Sequence, residues 1–341
     1  MKKKNSLKDI AKALGVSVTL VSYVMSGKEK ERRVGAEMVK KIRETAKKLN
    51  YQPNYHARSL RNNRSQTIGL IVADISNPFF ANMARTIEDE ANRLNYTVII
   101  GSSDENHQKM KKVLNFLASR QVDGFIIAAT EGSEQQIQYL KEHYIPFVLV
   151  DRYFEDISTN YVIVDNFQAS YDATMYLLEK DYKRIGMISY KSKLDHFKNR
   201  VLGYTEALKN FKIESGDKYL KKIRYSNIKD DIKKSVVEFI DKDKVQAIFF
   251  ATNTIAIEGL KCLFDLGIKM PEDIDVVAFD ESEAYNFFQY PIPHVKQPIK
   301  EMGIEAIRIL VNQIDHKMRK INQIYLNANL EVHATNKIHQ Q

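Results

Sequence analysis

From residue 66 onward, short β-rich runs recur with room for one helix between most of them. Thr67–Val72, Thr97–Ile100, Gly124–Ala128, Phe147–Val150, Arg184–Ser189, Ala247–Ala251 and Val276–Phe279 are the strand candidates. They are near-continuous apolar stretches, the pattern expected of strands buried on both faces of a parallel sheet. Strands that alternate with helices predict an α/β fold. Seven strands in about 210 residues overfill one compact sheet, so two doubly wound subdomains fit better. The division falls near Asp165-Asn166, and the chain crosses back near His294–Pro298. A cleft between two such sheets, at the carboxyl ends of their strands, is the expected ligand site.

The first 65 residues are different in kind. They hold 17 basic residues (11 Lys, 6 Arg) against 5 acidic ones, a net +12, while the whole chain carries +9 and the remainder therefore −3. Such a segment suits a polyanion, and on charge alone either nucleic acid or an anionic lipid surface would serve. The internal pattern favours nucleic acid. Ser6-Leu7-Lys8-Asp9 has the form of a capping box, Leu7, Ile10, Ala11 and Leu14 make an apolar stripe, and Gly15 supplies a stop. Ser17 can cap a second helix through Met25, and a third is expected from about Ala36 to Leu49. In the second helix Val21, Val24 and Met25 face the small core, which leaves Val18, Thr19, Ser22 and Tyr23 outward. Two short helices joined at a glycine make a helix-turn-helix, whose second helix enters the major groove. Hydroxyls can bond base edges or phosphates there, and a valine can pack on a thymine methyl. A helix lying on a membrane needs bulky apolar residues opposite lysines, which this one lacks. A surface helix that happens to be uncharged is the plainer alternative.

No apolar run approaches the roughly 18 residues of a membrane helix. Met1-Lys2-Lys3-Lys4 looks like the start of a signal peptide, but Ser6-Leu7-Lys8-Asp9 follows where an apolar stretch belongs, so a cytoplasmic location is expected. The single cysteine, Cys262, excludes an internal disulfide and a thiolate-rich zinc site, and is expected as a small buried hydrophobe. No GxxxxGK[ST], GxGxxG, HExxH or GxSxG pattern occurs, and the eight histidines have no metal-ligand spacing. No enzyme activity, cofactor or metal is expected. His196, near Arg200, is a cleft candidate, but a surface position is the more expected one.

The stretches LKDIAKALGVS, VSYVMSG and LNYQPNYHARSLRNNRSQTIGLIVADISNPFFA, followed by VDGFII, VLVDR, RIGMIS, NRVLGYTEAL, AIFFATN and PEDIDVVAFDE, resemble the LacI/GalR family of sugar-responsive transcription regulators along essentially the whole chain. That resemblance implies a helix-turn-helix domain at 1–52, a hinge helix and linker at 53–65, and an effector-binding and dimerisation body at 66–341. The body would have one subdomain at about 66–165 and 296–325 and another at 166–295 and 326–341. It implies a homodimer on a palindromic DNA operator, with no membrane partner. DNA contact falls to Ser17, Val18, Thr19, Ser22 and Tyr23, and in the hinge to Asn54, Ala57, Arg58, Leu60 and Arg61. Leu60 would wedge into a minor-groove base step; a solvated linker is the simpler reading of that stretch. A sugar or sugar-phosphate effector would meet Asp74, Phe79, Asp151, Arg200, Asn253 and Asp280. Taken singly, each of these could equally be a helix cap or a surface ion pair.

Departures matter as well. Tyr23 stands where the family usually has an arginine, Gly35 where a serine or threonine caps the third helix, and Thr254 where an aspartate follows the asparagine. A periplasmic-type sugar-binding protein is the main alternative, and the basic leading segment argues against it. A nucleoid-type architectural binder, which needs no effector, is a third.

Overall fold

The computed structural model describes residues 5–51, 64–213, 218–316 and 320–332. The chain divides into two units, Met1–Ser65 and Gln66–Gln341. The hinge residues Asn54, Ala57, Arg58, Leu60 and Arg61 lie outside the described residues.

The first unit is built on helix ends. The amide and hydroxyl of Ser6 both donate to the Asp9 carboxylate at 2.7 Å, opening α1 (Leu7–Leu14). Gly15 closes it in the left-handed conformation at φ 63°, a position that costs glycine little. Ser17 Oγ accepts from the Leu20 amide at 3.1 Å and starts α2 (Val18–Met25). Gly35 precedes α3 (Ala36–Lys48) without a side-chain cap. Ile10, Ala11, Val21, Val24, Ile42 and Ala46 form the buried core, with Leu14, Leu20, Met25 and Leu49 packed around it. A core of this size leaves little stability in reserve.

The second unit opens with β1 (Thr67–Val72), α4 (Pro78–Arg93), β2 (Thr97–Ser102), α5 (His107–Ser119), β3 (Gly124–Ile127), α6 (Glu134–Glu142), β4 (Phe147–Val150) and β5 (Tyr161–Val164). Then come α7 (Asn166–Leu178), β6 (Ile185–Tyr190), α8 (Asp195–Asn210), β7 (Leu220–Ile223), α9 (Ile228–Glu238), β8 (Ala247–Phe250) and α10 (Asn253–Asp265). The chain finishes with β9 (Asp275–Phe279), β10 (His294–Lys296), α11 (Ile299–Ile314), β11 (Gln323–Leu326) and β12 (Asn329–Glu331).

Two six-stranded sheets result, ordered β11-β5-β4-β3-β1-β2 and β12-β10-β9-β8-β6-β7. All pairings are parallel except β10 with β12. The first lobe packs α4 and α11 on one sheet face, through Met83, Ile87, Ala306 and Leu310, and α5 and α6 on the other, through Leu114 and Ile137. In the second lobe, α9 and α10 cover one face and α7 and α8 the other. The chain passes between lobes three times, after β5, after β10 and after β11.

Five strands are absent from the sequence candidates, β5, β7, β10, β11 and β12, although β5 (Tyr-Val-Ile-Val) is an apolar, fully buried inner strand whose signal is there to be read. Of these, β7 (Leu-Lys-Lys-Ile), β11 and β12 are edge strands with partly exposed faces, so their sequences need not be apolar throughout. Cys262 is only half-buried, packed against the core of the second lobe from its margin.

In each sheet the strand order reverses beside one strand. In the first, β1 lies between β2 and β3; in the second, β6 lies between β7 and β8. Connections leave such a point in opposite directions and open a crevice at the carboxyl end of the sheet.

Candidate functional site

Two sites emerge, one in each unit. On α2, Val21 and Val24 are buried, while Ser17, Val18 and Thr19 are exposed and Ser22 and Tyr23 half-buried. Ser17 already accepts the Leu20 amide, so its hydroxyl has a proton left to donate outward. After α2 the chain carries Lys28, Lys30, Arg32 and Arg33, all exposed. Arg43 on α3 holds this loop through Glu29 at 2.6 Å, and the Arg32 guanidinium lies 5.2 Å from the Tyr23 ring centroid.

In the second unit the two crevices contribute to one open-mouthed cleft with a cavity volume of about 100 Å³. Asp74 follows β1, Asp151 and Arg152 follow β4, Tyr190 ends β6, Thr252 and Thr254 follow β8, and Asp280 follows β9. Asp151 and Asp280 have φ values of 66° and 74°. Both carboxylates therefore sit on left-handed backbone at strand ends, a conformation seldom held without a tertiary reason.

The charged groups are tightly interlocked. Arg152 grips Glu105 with both Nη atoms at 2.7 and 2.6 Å, while its Nε donates to Asp151 at 3.1 Å and Nη1 to the Ala129 carbonyl at 3.1 Å. Arg200, on α8, donates from Nε to Asn166 Oδ1 at 2.8 Å and from Nη1 to the Ala251 carbonyl at 2.7 Å. Its guanidinium lies 3.5 Å from the Phe279 ring centroid. Asp280 accepts from the Asn253 amide at 3.3 Å and from Gln297 Nε2 at 2.5 Å.

Burial governs the titration of the cleft. It raises the Asp151 carboxyl above its usual range, opposed by Arg152 and Arg200. It lowers Arg200, with Asp280 and Asp151 pulling the other way. Arg152 is also penalised by burial, but Glu105 more than restores it, and its guanidinium stays firmly charged. His196 is pushed well below the ordinary histidine value by burial and then by the two arginines, so it is neutral at pH 7. Tyr190 and Tyr225 stack with ring centroids 3.8 Å apart and 10° between planes, and burial raises both phenols. His196 Nδ1 and Gln297 Oε1 are buried without a hydrogen-bond partner. Among the described residues no group of three or more His, Cys, Asp or Glu is placed to hold a metal ion.

Comparison with known proteins places both units. The family model described as periplasmic binding proteins and sugar binding domain of the LacI family matches residues 65–335, and that of bacterial regulatory proteins of the lacI family matches residues 6–54. The chain belongs to the LacI family. The relatives of this LacI-family chain include catabolite control protein A of Priestia megaterium, 30% identical over 96% of this chain and 98% of that protein. A LacI family transcriptional regulator from Enterococcus faecium, solved with bound ribose, is 26% identical, with a TM-score of 0.69 over 78% of this chain and 97% of that one. The lac repressor dimer bound to operator and an anti-inducer shares the fold at a TM-score of 0.84, with 19% identity, over 96% of this chain and 98% of that one. As a LacI-family member the chain is a DNA-binding transcription regulator with an effector-binding body, and not an enzyme.

Of the effector residues expected from the LacI-family resemblance, Asp74, Phe79, Asp151, Arg200 and Asp280 line the cleft. Asn253 does not. It is fully buried at the first turn of α10, donating its side-chain amide to Asn77 Oδ1 at 2.9 Å and its backbone amide to Asp280. His196 also needs correction: it is no surface residue but only 5% exposed and part of the cleft wall. It shares the buried face of α8 with Phe197, Arg200 and Tyr204, and its spacing of four from Arg200 was the available signal. Glu105, Tyr190 and Tyr225 were not singled out from sequence at all.

Proposed function

We propose that this regulator reads a palindromic operator as a homodimer and is switched by a sugar or sugar derivative held between the lobes of its body. Residues 1–52 would supply DNA reading through Ser17, Val18, Thr19, Ser22 and Tyr23. Residues 53–65 would couple the units, with Leu60 as a minor-groove wedge and Asn54, Ala57, Arg58 and Arg61 along the duplex. Residues 66–341 would bind effector and pair the subunits. Repression of carbohydrate-utilisation genes in the cytoplasm is the setting this favours. The ribose-bound relative and the relative named for catabolite control support it, and among the described residues no helix is long and apolar enough to cross a membrane.

One observation carries the effector assignment. Carboxylates, buried arginines and stacked tyrosines from both lobes converge on a single cleft at the switch points of two parallel sheets. Polar groups placed so densely suit a ligand rich in hydroxyls. Closure on the ligand would rotate one lobe and alter the hinge spacing across the dimer, a coupling of roughly 1–3 kcal/mol, or about 5- to 150-fold in DNA affinity.

The test begins with selection of short duplexes by the full-length protein from a random pool, followed by titration of the selected operator with sugars. Preference for a palindrome, changed by a sugar, is the expected result. Arg200→Ala should keep operator binding and lose the sugar response; a retained response would overturn the site assignment.

A further inference from the structure

The charges lining the cleft do not balance. Four carboxylates, Asp74, Glu105, Asp151 and Asp280, face two arginines, and no lysine lines the cavity. Both arginines are already engaged. Arg152 is held by Glu105, Asp151 and the Ala129 carbonyl, and Arg200 by Asn166 and the Ala251 carbonyl, under the face of Phe279. Arg152 is held on all three of its nitrogens, whereas Arg200 keeps Nη2 for a ligand, so one available cationic donor stands against four carboxylates. His196, held neutral, adds no positive charge.

What the cleft does offer is mostly acceptors. The Asp151 and Asp280 carboxylates are buried, and each is only partly satisfied by protein donors. Two further polar atoms have no partner: Gln297 Oε1, an acceptor on a residue 6% exposed, and His196 Nδ1 on a residue 5% exposed. A neutral imidazole can give or take a hydrogen bond, according to its tautomer. Buried polar atoms left unpaired are costly, so a movement of the lobes that brings them onto a ligand would relieve that cost. Beside them, Tyr190 and Tyr225, stacked on each other, add aromatic surface to the cleft lining.

We propose that the effector is an uncharged, hydroxyl-rich sugar, and that the cleft rejects phosphorylated and acidic sugars by electrostatic repulsion. This rests on the reading of the cleft as a sugar site and narrows it to one class. Sugar hydroxyls donate to Asp151, Asp280 and Gln297, one hydroxyl completes His196, and the C–H face of the ring lies on the tyrosines. A phosphate ester would add negative charge to a site with a formal surplus of two carboxylates, and like charges brought together in a desolvated site cost several kcal/mol. The cleft thus discriminates by what it repels as well as by what it binds.

Calorimetric titration of the full-length protein tests this with matched sets: neutral pentoses, hexoses and disaccharides, their phosphate esters, the corresponding uronates, and the corresponding amino sugars. At least one neutral sugar should bind, with its phosphate ester and uronate weaker by roughly 100-fold or more. Asp74→Asn removes one carboxylate at a half-exposed position and should narrow that gap several-fold. A phosphate ester or uronate that binds as tightly as its neutral parent overturns the inference and leaves the sugar reading standing. An amino sugar that binds tighter than its parent also overturns it, because the surplus charge would then serve a cation. If no member of any set binds, the inference and the sugar reading fall together.

Discussion

Asn77 Oδ1 and Asn253 Nδ2 are joined by a 2.9 Å hydrogen bond that links the two lobes of the body. Each residue stands at a helix start: Asn77 accepts the Phe79 amide at 3.0 Å to cap α4, and Asn253 opens α10. The bond therefore ties the amino ends of two helices, one per lobe. A net contribution of about 1 kcal/mol is typical of such a bond. Asn253→Ala leaves the Asn77 cap in place but releases the link. Effector affinity should fall by roughly 5-fold, while operator affinity without effector changes less. Calorimetry and a DNA-binding titration on the same variant check both halves.

His196 gives the body a pH dependence of defined sign. Its folded-state value lies well below the ordinary one, through burial and then through Arg152 and Arg200. The unfolded chain, with a histidine near 6.5, takes up the proton more readily. The stability contributed by the neutral ring is fully present above about pH 6.5 and is lost as pH falls below it, with a limiting slope of about 1.4 kcal/mol per pH unit. Asp151 has the reverse sign: its raised value means stability is lost as pH climbs out of the ordinary carboxylate range. Comparison of wild type with His196→Gln isolates the histidine. The drop in Tm between pH 7.5 and 5.5 should be smaller in the variant, and equal drops would show that the ring is protonated in the folded protein.

Gly203 marks where the second lobe tolerates no side chain. A Cβ there would fall 2.2 Å from the Phe167 carbonyl oxygen and 2.9 Å from the Tyr171 nitrogen, both backbone atoms of α7. Relief requires α7 and α8 to separate, so Gly203→Ala should cost roughly 1–3 kcal/mol and lower Tm by several degrees. At Gly101 the near atom is Val113 Cγ1 at 2.3 Å, part of a half-buried side chain that can move outward. Gly101→Ala should therefore destabilise less. Thermal melts of the two variants give the comparison, and a larger loss at Gly101 would contradict it.

How far the sequence reveals this molecule depends on what each residue touches. Phe125-Ile126-Ile127 lies on an inner strand covered on both faces, so its identity as a strand is written in its own composition. Leu220-Lys221-Lys222-Ile223 lies on a sheet edge, where lysines are tolerated and the apolar signal is lost. The same contrast holds in the cleft. Asp151 and Asp280 are visible as carboxylates directly after apolar runs. Glu105 becomes part of the site only because Arg152, 47 residues away, closes on it. Tyr225 needs Tyr190 beside it, and His196 is buried only once the lobe has closed around α8. Local pattern reports the elements, whereas long-range packing decides which polar groups meet.

The pairing of Arg32 with Tyr23 bears on DNA reading. Tyr23 occupies the outward part of α2, and the Arg32 guanidinium, from the following loop, lies over its ring. A cation over an aromatic face at an exposed site contributes about 0.5–1 kcal/mol, enough to bias one orientation of the tyrosine. Tyr23→Ala should change which base pairs the protein prefers at a few operator positions, by roughly 1–3 kcal/mol each, with nonspecific affinity nearly intact. If Arg32 acts by orienting the tyrosine, Arg32→Ala should alter preference at the same positions, and the double variant should lose less than the sum of the two single ones. If Arg32 instead meets a phosphate, its loss should weaken all sequences alike and reduce the salt slope by about 1. Selection from a random duplex pool, repeated at two salt concentrations for the three variants, separates the two. A uniform loss for Tyr23→Ala across all sequences would remove the tyrosine from base reading altogether.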